Sequence, residues 1–379
     1  MGTRAFVNGK VLIGDRFADD VNVIVSGSKI DRVAAGEDPG DCDDVVDLDG
    51  LCLLPGFVDT QVNGGGGVLF NDCPEVDTIA AIGAAHRKFG TTAFMPTLIS
   101  DELDVVRRAM AATEAAIDRG VPGVIGIHVE GPYLNPDRRG VHDPAKLRAI
   151  TAETVEQLVP IRNGKTLLTI APEAAEPGII KALQQKGVIV SAGHTDATYA
   201  ETMAAIAEGL RGFTHLYNAM SQLNVREPGA VGAALDSPDT WAGIIADGHH
   251  VSPVSLRIAY RMIGRDRMML VTDAMPPVGS DLTEFSLLGR NIVVENGICM
   301  DPDGTLAGTA LDMSSAVRNM MQFTGCSLAD ASCMASLSPA TFLGLNTVTG
   351  SIAPGKRADM VVVDRSLTVK STVIGGRMN

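Results

Sequence analysis

The chain has 379 residues, of which 45% are hydrophobic and 20% charged, and its formal net charge is −14. This length exceeds that of one small domain and suits a large domain with an accessory one. The acidic balance argues against a nucleic-acid-binding protein, which normally presents a basic face. Recognition of an anionic ligand would therefore depend on local positive side chains rather than on the overall field.

The distribution of cysteines and apolar residues bears on the cellular compartment. The six cysteines are scattered without a C-x-x-C pair, which is typical of reduced thiols in the cytoplasm. The first twenty residues carry several charges and no long apolar segment, so no signal peptide is predicted. No run of about 18 apolar residues indicates a membrane span. We therefore expect a cytoplasmic protein with neither a membrane nor a nucleic-acid partner.

The two ends of the chain share one pattern. Residues 5–35 alternate in short strand-like segments, and the last thirty residues resume this style in DMVVVD and TVKSTVIGGR. Neither end contains a helical period of useful length. The simplest interpretation is one small β domain formed by residues 1–53 together with residues 350–379.

Residues 54–349 alternate between apolar strand candidates and helix-like stretches such as 78–90 and 103–120. The eight strand candidates are FVDTQVN (57–63), TAFMPT (92–97), VIGIHVE (124–130), LLTIAPE (167–173), VIVSAGH (188–194), GFTHLYN (212–218), WAGIIADGHH (241–250) and MMLVTDA (268–274). Apolar strands separated by helices are typical of a parallel sheet with helical cover. Eight such units predict an α/β fold, a closed (β/α)8 barrel with its active site at the C-terminal strand ends.

Three metal-capable side chains lie at or just past the ends of predicted strands: Glu130 in HVEGPY, His194 in SAGHTDATY and His215 in THLYNAM. Taken alone, a residue of this kind is more often structural than a metal ligand. Together, at matching strand ends of a barrel, they fit a metal site with one position open for water. Zinc is the first choice for mixed nitrogen and oxygen ligands, with iron, cobalt or manganese as alternatives. A doubly wound open sheet, the main competing fold, would not easily bring these ends to one point.

Two further residues are candidates for proton transfer and carbonyl polarisation. Asp273 in LVTDAMPP follows the eighth predicted strand. It is either a helix cap or the general base for metal-bound water, which then protonates a leaving nitrogen. His142 in RRGVHDP lies in a polar loop. It is either an exposed loop histidine or a hydrogen-bond donor to a developing oxyanion.

Residues beyond the sixth and seventh strands are candidates for substrate contact. Arg226 in NVREPGAVGA is either an ordinary surface arginine or a clamp for a phosphate, which the planar guanidinium suits. Asn218 and Ala219 offer a side-chain donor and a backbone N–H. Of the adjacent His249 and His250, we expect one to contact substrate and the other to be structural or exposed.

These segments together resemble the amidohydrolase superfamily and, within it, the N-acetylglucosamine-6-phosphate deacetylase family. The resembling segments, in the family's order, are PGFVDTQVNGGGG, HVEGPYLNP, GVHDP, SAGHTDATY, FTHLYNAMS, REPGAVGA, IIADGHHV, LVTDAMPP, LAGTALDM and GSIAPGKRADMVVVD. The resemblance implies a (β/α)8 barrel with a small β-sandwich from both termini. It also implies hydrolysis of N-acetyl-D-glucosamine 6-phosphate to D-glucosamine 6-phosphate and acetate by metal-bound water, in amino-sugar catabolism and cell-wall sugar recycling.

The resemblance also implies a role for individual residues. Glu130, His194 and His215 would hold one divalent metal per chain. Asp273 would be the general acid/base, and His142 would polarise the acetyl carbonyl. The implied contacts to the phosphorylated amino sugar are His142, Asn218, Ala219, Arg226, His250 and, on the sugar side, Leu306, Ala307 and Gly308. The family usually forms oligomers, often homodimers, and in such a dimer Arg226 would act across the interface.

One departure from the superfamily pattern concerns the metal. Many members carry H-x-H at the end of strand one, where this chain has Gln61-Val62-Asn63. Amides are far weaker ligands than imidazoles, and the fourth strand segment lacks the lysine that bridges two metals elsewhere. One tightly held ion is therefore expected, with room for a weak second one. These absences count against another amidohydrolase acting on a cyclic amide or nucleobase, and the intact ligand set counts against a non-enzymatic scaffold.

Overall fold

The computed structural model describes residues 2–36 and 40–379. The N-terminal strands are β1 (Thr3–Val7), β2 (Lys10–Ile13), β3 (Arg16–Ala18), β4 (Val21–Ser26), β5 (Lys29–Ala35), β6 (Asp44–Asp47) and β7 (Cys52–Pro55). They divide between two sheets: β5, β4, β1 and β6 form one, and β7, β2 and β3 belong to the other.

The central sheet is a parallel eight-stranded barrel. Its strands are β8 (Phe57–Val62), β11 (Thr91–Ile99), β12 (Gly126–Glu130), β13 (Lys165–Ile170), β14 (Val188–Ala192), β15 (Gly212–Phe213), β16 (Trp241–Ile245) and β17 (Met268–Val271). A short hairpin, β9 (Gly64–Gly65) and β10 (Val68–Leu69), follows the first of them. The strands neighbour one another in sequence order. A bridge between Val62 and Ala274 brings the first and last together.

Helices cover the barrel between its strands. They are α1 (Val76–Arg87), α2 (Leu103–Asp118), α3 (Ala152–Gln157), α4 (Ile179–Gln185), α5 (Tyr199–Glu208), α6 (Gly229–Asp236), α7 (Pro253–Ile263), α8 (Met313–Thr324), α9 (Leu328–Ala335) and α10 (Leu337–Phe342). Short 3₁₀ turns lie at Pro136–Arg138, Pro144–Lys146 and Pro172–Ala174. Within residues 2–36 and 40–379, no helix has both the length and the apolar character needed to cross a bilayer.

A four-stranded antiparallel sheet follows the last barrel strand and was not anticipated from the sequence. It consists of β18 (Glu284–Leu287), β19 (Arg290–Glu295), β20 (Ile298–Met300) and β21 (Leu306–Thr309). Along β18 the side chains alternate between exposed and buried, as expected for a sheet with one solvated face. We call this unit the covering sheet, because its inner face packs on Leu69, Ile99 and Met275 beside the barrel mouth.

The C-terminal strands β22 (Met360–Val363), β23 (Val369–Ile374) and β24 (Arg377–Met378) complete the second N-terminal sheet. Strand β22 pairs antiparallel with β7, with Val362 opposite Leu53. Both termini also contribute to one apolar core, for example Phe6 and Val23 from the N-terminal part and Met360 from the C-terminal part. The predicted (β/α)8 barrel with a small β-sandwich from both ends is therefore confirmed.

Candidate active site

Three side chains converge at the C-terminal mouth of the barrel because of where their strands end. Glu130 is the last residue of β12, and His194 and His215 each come two residues after a strand. The two histidines have φ angles of 49° and 34°, in the left-handed region that non-glycine residues rarely adopt. The chain thus leaves the sheet abruptly at both histidines, and such strain is concentrated at functional sites.

The ligand atoms of Glu130, His194 and His215 all lie within 4.8 Å of one another, and all three residues are buried. Glu130 Oε1 lies 3.2 Å from His194 Nε2 and 2.9 Å from His215 Nε2, and the two Nε2 atoms are 3.1 Å apart. Among the described residues this is the only group of three or more His, Cys, Asp or Glu residues with such spacing. Two imidazoles and one carboxylate facing a common point fit a divalent cation.

Contacts behind the cluster prepare it for a cation. His194 Nδ1 lies 2.8 Å from the carbonyl oxygen of Arg138, so this nitrogen carries the proton and leaves the Nε2 lone pair free. Burial opposes ionisation of Glu130, but its hydrogen bonds with His194 and His215 outweigh burial and hold the pKa of this carboxyl well below its usual range. An ionised carboxylate and an imidazole with a free lone pair are the forms that bind metal.

Asp273 lies beside this cluster, two residues beyond β17, and also has a positive φ, of 50°. Its Oδ1 accepts hydrogen bonds from Asn63 Nδ2 at 2.6 Å and from Gln61 Nε2 at 3.1 Å. Gln61 Nε2 also lies 3.1 Å from Glu130 Oε2. Burial raises the pKa of Asp273, and the charge of Glu130 adds to the effect. The two amides found in place of H-x-H therefore act as hydrogen-bond donors to the carboxylates.

His142 faces the same space as a neutral hydrogen-bond donor. The backbone N–H of Ser100 donates to its Nδ1 at 3.3 Å, so Nδ1 is the acceptor and Nε2 carries the proton. Burial lowers the pKa of His142 to about 3, with nearby His194 acting in the same direction. The centres of these two rings are 4.4 Å apart. A proton on Nε2 beside the cluster suits donation to a substrate carbonyl.

These groups line a cavity of about 370 Å³ at the barrel mouth. Six of the predicted catalytic and substrate-contact residues share its lining with the cluster and Asp273: His142, Asn218, Ala219, His250, Leu306 and Gly308. Another cavity, of about 560 Å³, is lined by residues at the N-terminal strand ends, such as Val124 and Lys165. It contains none of the converging metal-capable groups, so the smaller cavity is the candidate active site.

Two of the lining residues are held in defined orientations. His250 Nδ1 lies 2.6 Å from Asp247 Oδ2, which leaves Nε2 as the free ring nitrogen. Gly308 has φ 62°, and a Cβ there would lie 2.6 Å from the side chain of Met275, so only glycine fits. The neighbouring His249 is exposed.

Arg226 and Ala307 are the two predicted contact residues that are absent from the cavity lining. Arg226 is exposed on the loop of residues 221–228. Ala307 is fully buried in the core of the covering sheet, between the lining residues Leu306 and Gly308. Its position follows from strand alternation, because adjacent side chains point to opposite faces.

The sequence assigned no role to the lining residues Arg138 and Thr305, and it identified Asn63 only as a weak replacement for a metal-binding histidine. Arg138 is partly exposed and forms an ion pair with Asp196 at 2.7 Å. Arg138 and Arg139 directly precede GVHDP, and this pair indicates positive charge near the site from the sequence alone. Thr305 comes from the covering sheet region, which the barrel pattern did not include.

Comparisons with known proteins agree with this geometry. The model of the amidohydrolase family matches residues 52–378. An N-acetylgalactosamine-6-phosphate deacetylase of Shewanella sp. (strain ANA-3) is 47% identical over 86% of this chain and 82% of its own length. The crystal structure of N-acetylglucosamine-6-phosphate deacetylase from Pasteurella multocida superposes with a TM-score of 0.96 at 34% identity, covering 100% of this chain and 99% of the other.

A mutant N-acetyl-D-glucosamine-6-phosphate deacetylase from Mycobacterium smegmatis, in complex with N-acetyl-D-glucosamine-6-phosphate, has a TM-score of 0.91 and 30% identity. That match covers 100% of this chain and 99% of the other. Identity at this level over nearly whole chains extends the likeness beyond the shared barrel. The chain therefore belongs to the amidohydrolase family and, within it, to the N-acetylglucosamine-6-phosphate deacetylases and their N-acetylgalactosamine-6-phosphate counterparts.

Proposed function

We propose that this chain hydrolyses the acetamide of an N-acetylated amino-sugar 6-phosphate, giving acetate and the free amino sugar, in amino-sugar catabolism. The observation that carries the proposal is the convergence of Glu130, His194, His215, Asp273 and His142 on one cavity, in a chain that matches such deacetylases along its length. N-Acetyl-D-glucosamine 6-phosphate is the substrate assigned first, because it is bound in the Mycobacterium smegmatis relative.

Glu130, His194 and His215 would hold one divalent cation, which when bound supplies Lewis acidity to the acetyl carbonyl and to the attacking water. Zinc is the ion proposed, because two imidazoles and a carboxylate are a common hydrolytic zinc set. Gln61 and Asn63 direct amide N–H groups at the carboxylate of Asp273. These donors favour a single ion, since a second cation would need lone pairs in that place.

The chain's own residues account for the proton transfers. Asp273 accepts a proton from the attacking water and delivers it to the amide nitrogen as the carbon–nitrogen bond breaks. The Nε2–H of His142 donates to the acyl oxygen, where negative charge develops. Water thus supplies a hydroxyl to the acetyl carbon and a proton to the amine, so the atoms balance.

The test is acetate release from N-acetylglucosamine 6-phosphate by the purified protein, with bound metal measured on the same sample. We expect turnover with about one ion per chain, because one ligand set is present among the described residues. Absence of turnover in folded, metal-loaded protein would contradict the proposed substrate class. Substoichiometric metal with full activity would contradict the metal assignment alone.

N-Acetylgalactosamine 6-phosphate is a second candidate substrate, favoured by the 47% identity to the Shewanella enzyme. The two sugars differ only in the configuration at C4, whereas the acetamide and the phosphate are common to both. The same acetate assay therefore decides between them through the ratio of their kcat/KM values. A ratio near one would indicate that the cavity does not read C4.

Recognition of the phosphate is assigned to Arg226, together with Asn218, Ala219 and His250. We expect Arg226→Ala to lower kcat/KM for the phosphorylated sugar about ten-fold or more, since a charge-assisted hydrogen bond contributes about 1.5–3 kcal/mol. Unphosphorylated N-acetylglucosamine should be hydrolysed equally by both proteins. Arg377→Ala, on β24 of the sandwich, is the control for removal of an exposed arginine. An equal loss for both sugars would contradict a phosphate role for Arg226.

Arg226 lies outside the active-site cavity of its own chain. This position is explained if its side chain reaches the active site of a second copy of this chain. On α7, the side chains of Val254, Ile258 and Met262 are about half exposed and lie four residues apart, so they form one apolar stripe. The loop carrying Arg226 adds the exposed Leu223. This loop packs on α6, which in turn contacts α7.

An exposed apolar surface of this kind suits a partner. We assign the chain itself as that partner, in a two-fold dimer that covers the stripe. Sedimentation at twice the mass of one chain is the expected observation, and a monomer at micromolar concentration would contradict the dimer. The cytoplasm is the compartment proposed, because a sugar phosphate is charged and does not cross membranes freely.

A further inference from the structure

The closure of the barrel contains a buried carboxylate that the proposed mechanism does not use. Asp59 on β8 is fully buried and is absent from the cavity lining. Its Oδ2 accepts a hydrogen bond from Thr272 Oγ1 at 2.5 Å. Its Oδ1 accepts the backbone N–H groups of Gln61 at 3.1 Å and Thr272 at 3.4 Å. Asp59 therefore joins the first barrel strand to the segment that follows the last.

This arrangement is energetically unfavourable for a carboxylate that serves packing alone. None of the ion pairs formed by the described residues includes Asp59, so no cation compensates for its charge. Burial raises the pKa of Asp59 to about 7. A buried group of this kind destabilises the folded state above its unperturbed pKa. The presence of Asp59 is therefore better explained by its hydrogen bonds to Thr272 and Gln61 than by a contribution to the stability of the fold.

The residues held by Asp59 are neighbours of the catalytic carboxylate. Thr272 directly precedes Asp273, and Gln61 lies two residues beyond Asp59, on the same face of β8. The backbone N–H of Asp273 donates to the carbonyl of Gln61 at 3.0 Å. The Gln61 side chain donates to the carboxylate of Asp273. A shift of Thr272 or of Gln61 would therefore change the direction in which Asp273 points.

The left-handed conformation of Asp273 makes this support important. With φ at 50°, the backbone at Asp273 is not held by local preference and needs fixed neighbours. Thr309 contributes one such support, because its Oγ1 donates to the carbonyl of Thr272 at 2.7 Å. Asp59 contributes another, because it accepts hydrogen bonds from the hydroxyl and the N–H of Thr272.

We propose that Asp59 is a positioning residue for Asp273, acting through Thr272 and Gln61 at the seam where the barrel closes. The inference rests on the proposed function, because it presupposes the proton-transfer role of Asp273. Asp59 itself does not touch the substrate. Its removal misdirects the Asp273 carboxylate while leaving the substrate contacts and the metal cluster in place.

The test compares Asp59→Asn, Thr272→Val and the double variant in metal-loaded protein. We expect each single change to lower kcat about ten-fold to a hundred-fold, the scale of a small misplacement of a catalytic group, with KM and bound metal unchanged. The double variant should lose no more than the worse single one, because both changes alter the one contact between Asp59 and Thr272. Thr272→Ser keeps the hydroxyl and should restore most of kcat.

The matched control for loss of a buried threonine hydroxyl is Thr240→Val. Thr240 Oγ1 is buried and lacks a hydrogen-bond partner, and the residue precedes β16 at the opposite end of the barrel. This variant should keep the wild-type kcat. If Asp59→Asn does not fold, the comparison of Thr272→Val with Thr272→Ser still decides the inference. A kcat for Thr272→Val equal to that of Thr240→Val would overturn it.

The same changes in an Asp273→Asn background separate this inference from the proposed function. With the acid/base absent, Asp59→Asn should cause no further loss of kcat. If it lowers kcat equally in both backgrounds, or raises KM or releases metal, Asp59 is structural and only the inference is overturned. If Asp273→Asn alone keeps full turnover, the proposed role of Asp273 fails instead.

Discussion

We expect that replacing Asp273 by asparagine lowers kcat about a thousand-fold while the metal content and the fold persist. Asparagine has the same shape, but its amide cannot accept the proton of water, and general acid–base catalysis typically contributes about 10²–10⁴-fold. In the wild type, the Asp273 carboxylate already accepts two amide hydrogen bonds, from Gln61 and Asn63. The measurement is kcat for acetate release, normalised to bound metal.

The control for this change is Asp281→Asn, since Asp281 is an exposed aspartate beyond the same strand. It should leave kcat unchanged. A metal-loaded Asp273→Asn variant with kcat within ten-fold of wild type would contradict the acid/base role. Loss of metal from this variant would indicate instead that Asp273 supports the ion, which the distances within the cluster of Glu130, His194 and His215 do not require.

We expect that replacing Glu130 by glutamine removes the metal and, with it, the activity. Glutamine keeps one oxygen donor but loses the negative charge, and amides are weak ligands for zinc. Even residues behind the ligands cost about 10–100-fold in metal affinity when they are changed, so a loss of at least about 100-fold is expected for a ligand. Metal per chain after dialysis is the primary readout, followed by acetate release.

The matched control is Glu295→Gln, an exposed glutamate on β19 of the covering sheet. It should bind metal as the wild type does. Excess zinc should partly restore activity in Glu130→Gln, because His194 and His215 still offer their Nε2 atoms. Full metal occupancy in dialysed Glu130→Gln would show that the ion is held elsewhere.

The barrel was predictable because its strands are buried on both faces. VIVSAGH and MMLVTDA open with apolar runs, and the observed strands β14 and β17 begin at the first residue of each, as β8 does in the more polar FVDTQVN. The helix-like stretches between them differ from the observed helices α1 and α2 by at most three residues at their ends. Apolar runs separated by amphipathic helices admit few other architectures.

Two features of the fold were not predicted from the sequence patterns: the early end of β15 and the covering sheet. GFTHLYN was predicted as a seven-residue strand, but β15 contains only Gly212 and Phe213 before the chain turns at His215. Apolar residues continue past that turn because they face the core, so hydrophobicity does not mark it. The covering sheet was not predicted because its strands are short and pair only with their sequence neighbours. The repeating strand–helix pattern that predicts the barrel does not include them.

The candidate site was predictable in its chemistry and less so in its geometry. Strand ends placed Glu130, His194, His215 and Asp273 at one mouth, and the structure brings these four together. Their metal and acid/base roles are proposals. The amide donors of Gln61 and Asn63 could not be foreseen, because their partners are 69 or more residues away in sequence, as in the bond from Asn63 to Asp273, 210 residues apart. The role of Arg226 across a dimer interface stays a proposal, because one chain alone leaves this residue on an exposed loop.

The two-ended sandwich has a consequence for the order of folding during synthesis. Strand β7 pairs with β22, which lies about three hundred residues later, and five of the thirteen buried residues of the sandwich core lie beyond residue 350. The N-terminal strands can pair with one another, but they emerge from the ribosome long before β22 and the C-terminal part of their core exist. Until then they expose apolar side chains and unpaired strand edges, which is the condition that invites aggregation. We therefore expect the first fifty residues to be the segment most exposed to aggregation until the last thirty are made.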